Sequence, residues 1–146
     1  MGALAVNYES GLIKHFFLSE QLAYPTTVYI GLVSNYSADD LRNNIQTSEI
    51  TGASGFERQP APCTADVWKA PYATGTGSSA SYATNNISGI NFPVAEGSKG
   101  IVSGVIITSA QTGGNIIFHG PLTNAREIRD KDIFQFPSGA LKITFS

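Results

Sequence analysis

The chain carries one cysteine, Cys63, so it cannot close an intrachain disulfide, and no cysteine framework points to an oxidising compartment. It is also poor in charge. Only 14% of its 146 residues are Asp, Glu, Lys or Arg, against roughly 25% in an ordinary soluble domain. Disorder does not follow, because disordered chains combine high charge with few apolar residues and this one is 42% hydrophobic. What remains is a neutral surface of Ser, Thr, Asn and Gly, or one covered by copies or partners. A net charge of −2 leaves no basic excess for nucleic acid. The densest basic group, Arg126, Arg129 and Lys131, alternates with Glu127, Asp130 and Asp132 and reads as a solvated mixed-charge face. No stretch approaches 18 uninterrupted apolar residues, so no helix is expected to cross a membrane. The N-terminus lacks a basic region ahead of an apolar run, so no secretory leader is expected.

Catalytic signatures are missing as well. There is no G-x-S-x-G elbow, no H-E-x-x-H and no C-x-x-C. His15 and His119 are the only histidines, and with one cysteine they cannot complete a four-ligand zinc site without a carboxylate. They read as structural. Gly75-Thr76-Gly77-Ser78-Ser79-Ala80 matches a permissive dinucleotide fingerprint, but its flanks read as loop rather than as a strand and a helix. Asp39, Asp40, Asp66 and Glu57 could be cast as glycosidase carboxylates, yet nothing fixes their separation, and separation defines that mechanism. Asn35-Tyr36-Ser37 and Asn86-Ile87-Ser88 match the glycosylation pattern by chance. No enzyme activity, cofactor or metal is expected.

What the chain does have is β patterning, and a single domain over residues 1–146 is the expected organisation. One helix is expected over 4–20, where Leu4, Tyr8, Leu12, Ile13, Phe16 and Phe17 form an apolar stripe that must dock on the body or on another chain. Pro25 is the expected stop. A first β part spans 27–66: Thr27–Val33 reads as a strand, Ser37-Ala38-Asp39-Asp40 caps a short turn, and Pro60 and Pro62 confine any strand near Phe56–Thr64 to an edge. Residues 67–89, rich in Gly, Ser, Thr and Tyr, read as an irregular arm. The C-terminal β part, 90–146, holds a β run starting within Ile87–Val94 and two apolar strands, Ile101–Thr108 and Asn115–His119, around Ser109–Gly114. It ends with a pair, Ile133–Phe136 and Leu141–Phe145, around Pro137-Ser138-Gly139. The sum is a mainly β protein, a β-sandwich of short antiparallel strands with one N-terminal helix and a long irregular loop. In that loop Trp68, Tyr72 and Tyr82 are the candidate interaction surface, because rings among small polar residues give contact area at low entropy cost. The alternative is that these rings pack under their own loop or against a neighbouring subunit.

Five stretches carry a resemblance. They are the strand Thr27–Val33, the aromatic-x-Arg element Phe56-Glu57-Arg58, the I-x-F-P motif Ile90-Asn91-Phe92-Pro93, the run Thr112-Gly113-Gly114-Asn115 through Gly120-Pro121-Leu122-Thr123, and the closing F-x-x-G-x-L-x-I-x hairpin from Ile133 to Phe145. In this order they resemble a family of small phage proteins usually labelled tail-fibre proteins; the departures lie in 35–50 and 60–85. None of these motifs is catalytic, so the resemblance implies a fold and membership of the virion. Similar small β-sandwich proteins act as capsid cement. The expectation is therefore a non-enzymatic virion protein, made in the host cytoplasm. The favoured form is a cement or decoration protein that assembles as a homo-oligomer, a trimer, on the outside of the major capsid protein. The alternative is a tail-fibre, tail-tip or baseplate component contacting the host surface.

Overall fold

The computed structural model describes residues 3–50 and 56–144. In chain order the elements are β1 (Ala3–Leu4), α1 (Val6–Phe17), β2 (Thr27–Val33), α2 (Ala38–Arg42), β3 (Gln59–Pro62), β4 (Tyr72–Thr74), a 3₁₀ turn (Gly77–Ser79), β5 (Ser81–Asn85), β6 (Ile90–Asn91), β7 (Gly100–Thr108), β8 (Ile116–Ile128), β9 (Gln135–Phe136) and β10 (Lys142–Thr144). The protein is mainly β. A five-stranded sheet in the order β1-β8-β7-β2-β3 is opposed by a three-stranded sheet, β10-β5-β4, and a two-stranded one, β6-β9, all antiparallel.

The large sheet is covered on both faces, which explains the near-continuous apolar runs of β2 and β7. On one face Val28, Ile30 and Leu32 of β2 meet Phe56, Phe92, Phe134, Phe136 and Leu141. The rings are in contact: Phe56 and Phe92 stack at 5.2 Å between centroids, and Phe134 stands edge-on to Phe92 and Phe136 at 5.7 and 5.3 Å. Each such pair adds about 1 kcal/mol beyond its burial. On the other face Val33, Ile106 and Ile116 meet Ala5, Leu41 and Tyr36 beneath the two helices.

Several sequence expectations hold and several change. β2 falls where its β-branched run places it. β3 is an edge strand paired only to β2, with Pro60 opposite Tyr29 and Pro62 opposite Thr27, positions where missing N–H donors cost nothing. The Ser37 hydroxyl accepts from Asp40 N at 3.3 Å and caps α2. The first helix stops well before Pro25: Ser19 turns left-handed at φ 55° and Glu20 N donates to Lys14 O. Its stripe docks only in part, with Tyr8 and Leu12 half-buried and Ile13, Phe16 and Phe17 exposed. Gly120-Pro121 does not end a strand; β8 runs on to Ile128, and Pro121 sits beside a register shift against β7, beyond the reach of β1.

Two differences matter most. The expected pairing of Ile133–Phe136 with Leu141–Phe145 does not occur, because β9 pairs with β6 and β10 pairs with β5. Within the stretch 67–89 expected as an irregular arm, β4 and β5 form a hairpin around the 3₁₀ turn, and Trp68 bridges to Asn86. Small Ala, Gly and Ser residues hide the period-2 alternation of Tyr72, Thr74, Tyr82 and Thr84 there.

Candidate functional site

The three aromatic candidates are separated by hairpin register. Tyr72 lies opposite Ala83 and Tyr82 opposite Ala73, so the two tyrosines point to opposite faces of the small sheet. Tyr72 takes the outer face. Its hydroxyl donates to Asn85 Oδ1 at 2.9 Å, and the ammonium groups of Lys69 and Lys142 lie 4.8 and 5.9 Å from its ring centroid. Two cations on one ring form a cation–π cluster. Tyr82 takes the inner face and is 64% exposed. With Pro71, Thr84, Phe118 and Ile143 it lines an apolar cavity of 330 Å³ at the mouth between the sheets. Trp68 is half-buried against the core and, with Val28, Ile117, Phe118 and Ile143, lines a further 180 Å³ cavity in the same seam. The structure thus places Tyr82 and Trp68 along one seam, which shares Phe118 and Ile143, and Tyr72 behind it.

The motif residues turn out to be fasteners. Arg58 is 3% exposed, and its guanidinium ties the β7–β8 connection to the segment that carries Gln46 and Glu49. Nε and Nη2 donate to the two Glu49 oxygens at 2.6 and 2.8 Å, and Nη2 also donates to Gln46 Oε1 at 2.8 Å. Nη1 donates to Thr108 Oγ1 at 3.1 Å and to the carbonyls of Ala110 and Gly113 at 2.8 Å each. The pair lies across β2 at Gly31, where a Cβ would come within 2.9 Å of Glu49 Oε1 and 3.3 Å of Arg58 Cγ; only glycine leaves that room. Gly114, at φ 65°, completes the turn that Arg58 holds. Asn86, fully buried, does the same for the C-terminus. Its Nδ2 donates to the carbonyls of Ser88, Phe136 and Pro137, and its Oδ1 accepts from Leu141 N at 2.9 Å. This buried amide was read in the sequence only as a chance glycosylation match.

The remaining chemistry candidates stay apart. His119 is 3% exposed in β8; Nδ1 shares a 2.9 Å hydrogen bond with the Tyr36 hydroxyl, and Nε2 is buried with no partner. Burial, reinforced by the Arg42 charge, pulls the imidazole below its usual value, and burial raises the Tyr36 phenol. His15 is exposed on α1, with Nδ1 3.1 Å from Glu20 O. Asp39, Asp40, Asp66 and Glu57 are all exposed and belong to α2, the loop before Trp68 and the segment before β3. Gly75–Ala80 is a hairpin tip, not a strand-to-helix turn. Among the described residues no group of three or more His, Cys, Asp or Glu could hold a metal ion. What the arrangement offers is contact surface.

A family model described as podophage GP4 fiber I protein gp80 matches residues 3–144. No curated protein matches the chain significantly. The chain belongs to this phage fiber family, which makes it a structural component of the virion, assembled in the host.

Proposed function

We propose that this member of the fiber I family serves in the tail fibre of the particle, as a non-enzymatic component that contacts the host surface. The observation that carries the reading is the extent of the family match, 3–144, which spans all but the ends of the chain. It favours the fibre over the capsid-cement role that the sequence alone suggested, since the matched family is described by a fiber protein. In this reading the body is a rigid scaffold, fastened by Arg58 and Asn86, and recognition falls to the small sheet and its seam. Tyr82 presents a ring at the mouth of the 330 Å³ cavity. Tyr72 presents a ring flanked by Lys69 and Lys142. Trp68 contributes by holding the hairpin to the core rather than by facing outward. Other virion proteins and further copies of the chain are its expected partners.

The test combines position with adsorption. An antibody raised against the chain, detected by gold on purified particles, should label the tail end. Gold spread over the heads would overturn the fibre reading in favour of cement. Particles carrying Tyr72→Ala and Tyr82→Ala should assemble normally and adsorb to host cells at least about tenfold more slowly, as loss of anchor rings at an interface does. Adsorption at the wild-type rate would remove these rings from the contact.

A further inference from the structure

The first helix, α1, is thinly supported by the body. None of its twelve residues is buried, although it opens on Ala5, which is. Its ties to the body are few. Glu9 takes both Arg42 Nη groups at 2.6 Å, Ala5 N donates to Ile117 O, and Leu22 lies so close to Gly11 that a Cβ there would come within 2.7 Å of it. The inner face, Tyr8 and Leu12, is half-buried. The outer face is apolar too: Ile13, Phe16 and Phe17 follow the i, i+3, i+4 spacing that puts side chains on one stripe, and they are 60%, 73% and 80% exposed. Leu18 follows at 64%, and Tyr24, on the segment leaving the helix, is 79% exposed. The body thus covers only one edge of a broad apolar stripe, and a helix this short is marginal unless such a stripe is packed.

Area says how much is missing. The chain exposes 8310 Å², about 1,100 Å² more than the roughly 7,200 Å² expected of a compact 15.5 kDa monomer. The three rings of this segment, Phe16, Phe17 and Tyr24, expose on the order of 450 Å² of apolar surface. Ile13 and Leu18 extend it toward the ~800 Å² that each side of a standard interface contributes.

We propose that a second copy of this chain covers the α1 stripe, the two helices packing Ile13, Phe16 and Phe17 against each other across a two-fold axis. An isologous contact uses the same patch on both sides, so it needs no complementary surface elsewhere on the chain. Helices carrying matched stripes interlock ridge into groove at 8–10 Å between axes. The contact leaves Tyr72, Tyr82 and the seam free. It does not rest on the fibre reading, since it holds equally for a chain on the head, and its tests use the isolated protein rather than the particle.

Sedimentation equilibrium of the purified chain should give a dimer at micromolar concentration. Phe16→Glu/Phe17→Glu should raise the dissociation constant by at least about 100-fold, because charge is placed in a desolvated apolar centre. Far-UV circular dichroism should show the β signal unchanged, as neither ring touches the core. If that variant misfolds, a Cys63→Ser background carrying Phe17→Cys tests the same contact in a folded chain, and oxidation should link two copies. A larger homo-oligomer dissolved by the same double variant would still put copies of this chain on the stripe. A wild-type chain monomeric at hundreds of micromolar, an assembly indifferent to the double variant, or no cross-link through position 17 would each overturn the proposal.

Discussion

Replacing Arg58 by methionine tests whether the molecule is held together as its geometry implies. The side chain is 3% exposed and its partner Glu49 6% exposed, so the substitution strands a carboxylate in the interior. Removing one member of such a pair costs about 3–5 kcal/mol. The Gly113 carbonyl and the Gln46 amide oxygen lose the Arg58 donor as well, while the Ala110 carbonyl keeps the Thr108 hydroxyl at 2.7 Å. Stranded acceptors add to the cost, though not additively, so about 4–6 kcal/mol is expected in all. For a chain of this length each kcal/mol lowers the melting temperature by about 3 °C, which gives a drop of about 12–18 °C. Arg58→Lys keeps the charge but loses the planar fork, and should fall by about half as much. The double variant Arg58→Met/Glu49→Leu removes both charges and should recover part of the loss. Urea denaturation followed by Trp68 fluorescence and circular dichroism measures all three. The reasoning is refuted if Arg58→Met costs less than about 1 kcal/mol, or if the double variant is less stable than the single one.

Two further outcomes follow from the buried polar groups. Asn86→Ala removes a fully buried amide that holds Ser88, Phe136, Pro137 and Leu141. It should cost about 2–4 kcal/mol in thermal denaturation and speed amide exchange through β9 and β10; a loss below about 1 kcal/mol would contradict the fastening role. For His119 the folded-state pKa is lowered from 6.5, first by burial and then by Arg42, while the unfolded chain takes up its proton at the ordinary value. The unfolded state therefore binds more protons below that value, and stability rises with pH. The histidine's contribution is complete above pH 6.5 and is lost as pH falls through the lowered folded value. The urea midpoint of the wild type should decline on acidification through that window more steeply than that of His119→Gln. Parallel profiles would exclude the histidine as the cause.

The parts of the fold legible in the sequence are those where one strand's own residues decide its state. β2 is a dense β-branched run, the prolines of β3 announce an edge, and Ser37 announces a cap. What was not legible depends on partners distant along the chain. β9 and β10 look like a hairpin because they are adjacent, but Asn86 bonds Leu141 across 55 positions and seats β10 against β5. Arg58 reaches Gly113 across another 55, and nothing in the sequence of a lone arginine shows that it is buried. The aromatic candidates illustrate the limit for the site. Tyr72 and Tyr82 share one compositionally uniform stretch, yet the register puts 72 opposite 83, and a hairpin of that register sends 72 and 82 to opposite faces. Composition finds such residues but does not say which way they point. The stripe of α1 was visible as a period; only its exposure shows that the body leaves half of it uncovered.

This division separates scaffold from function in a physical sense. Arg58 holds the Thr112–Asn115 turn to β2, Asn86 holds the closing segment from Phe136 to Leu141 to β5, and Phe92 of the I-x-F-P motif stacks in the aromatic core. The motifs by which the chain resembles its family thus fix backbone paths and a core. They explain why the β body forms and leave its outward chemistry open. The surfaces that remain are of two kinds with different demands. An uncovered apolar stripe gains from permanent burial and suits assembly. A ring beside an open cavity or flanked by ammonium groups keeps polar neighbours in water and suits a contact that forms later, outside the particle. On that ground the two proposals divide the surface, α1 for the building of the virion and the small sheet for what the virion meets.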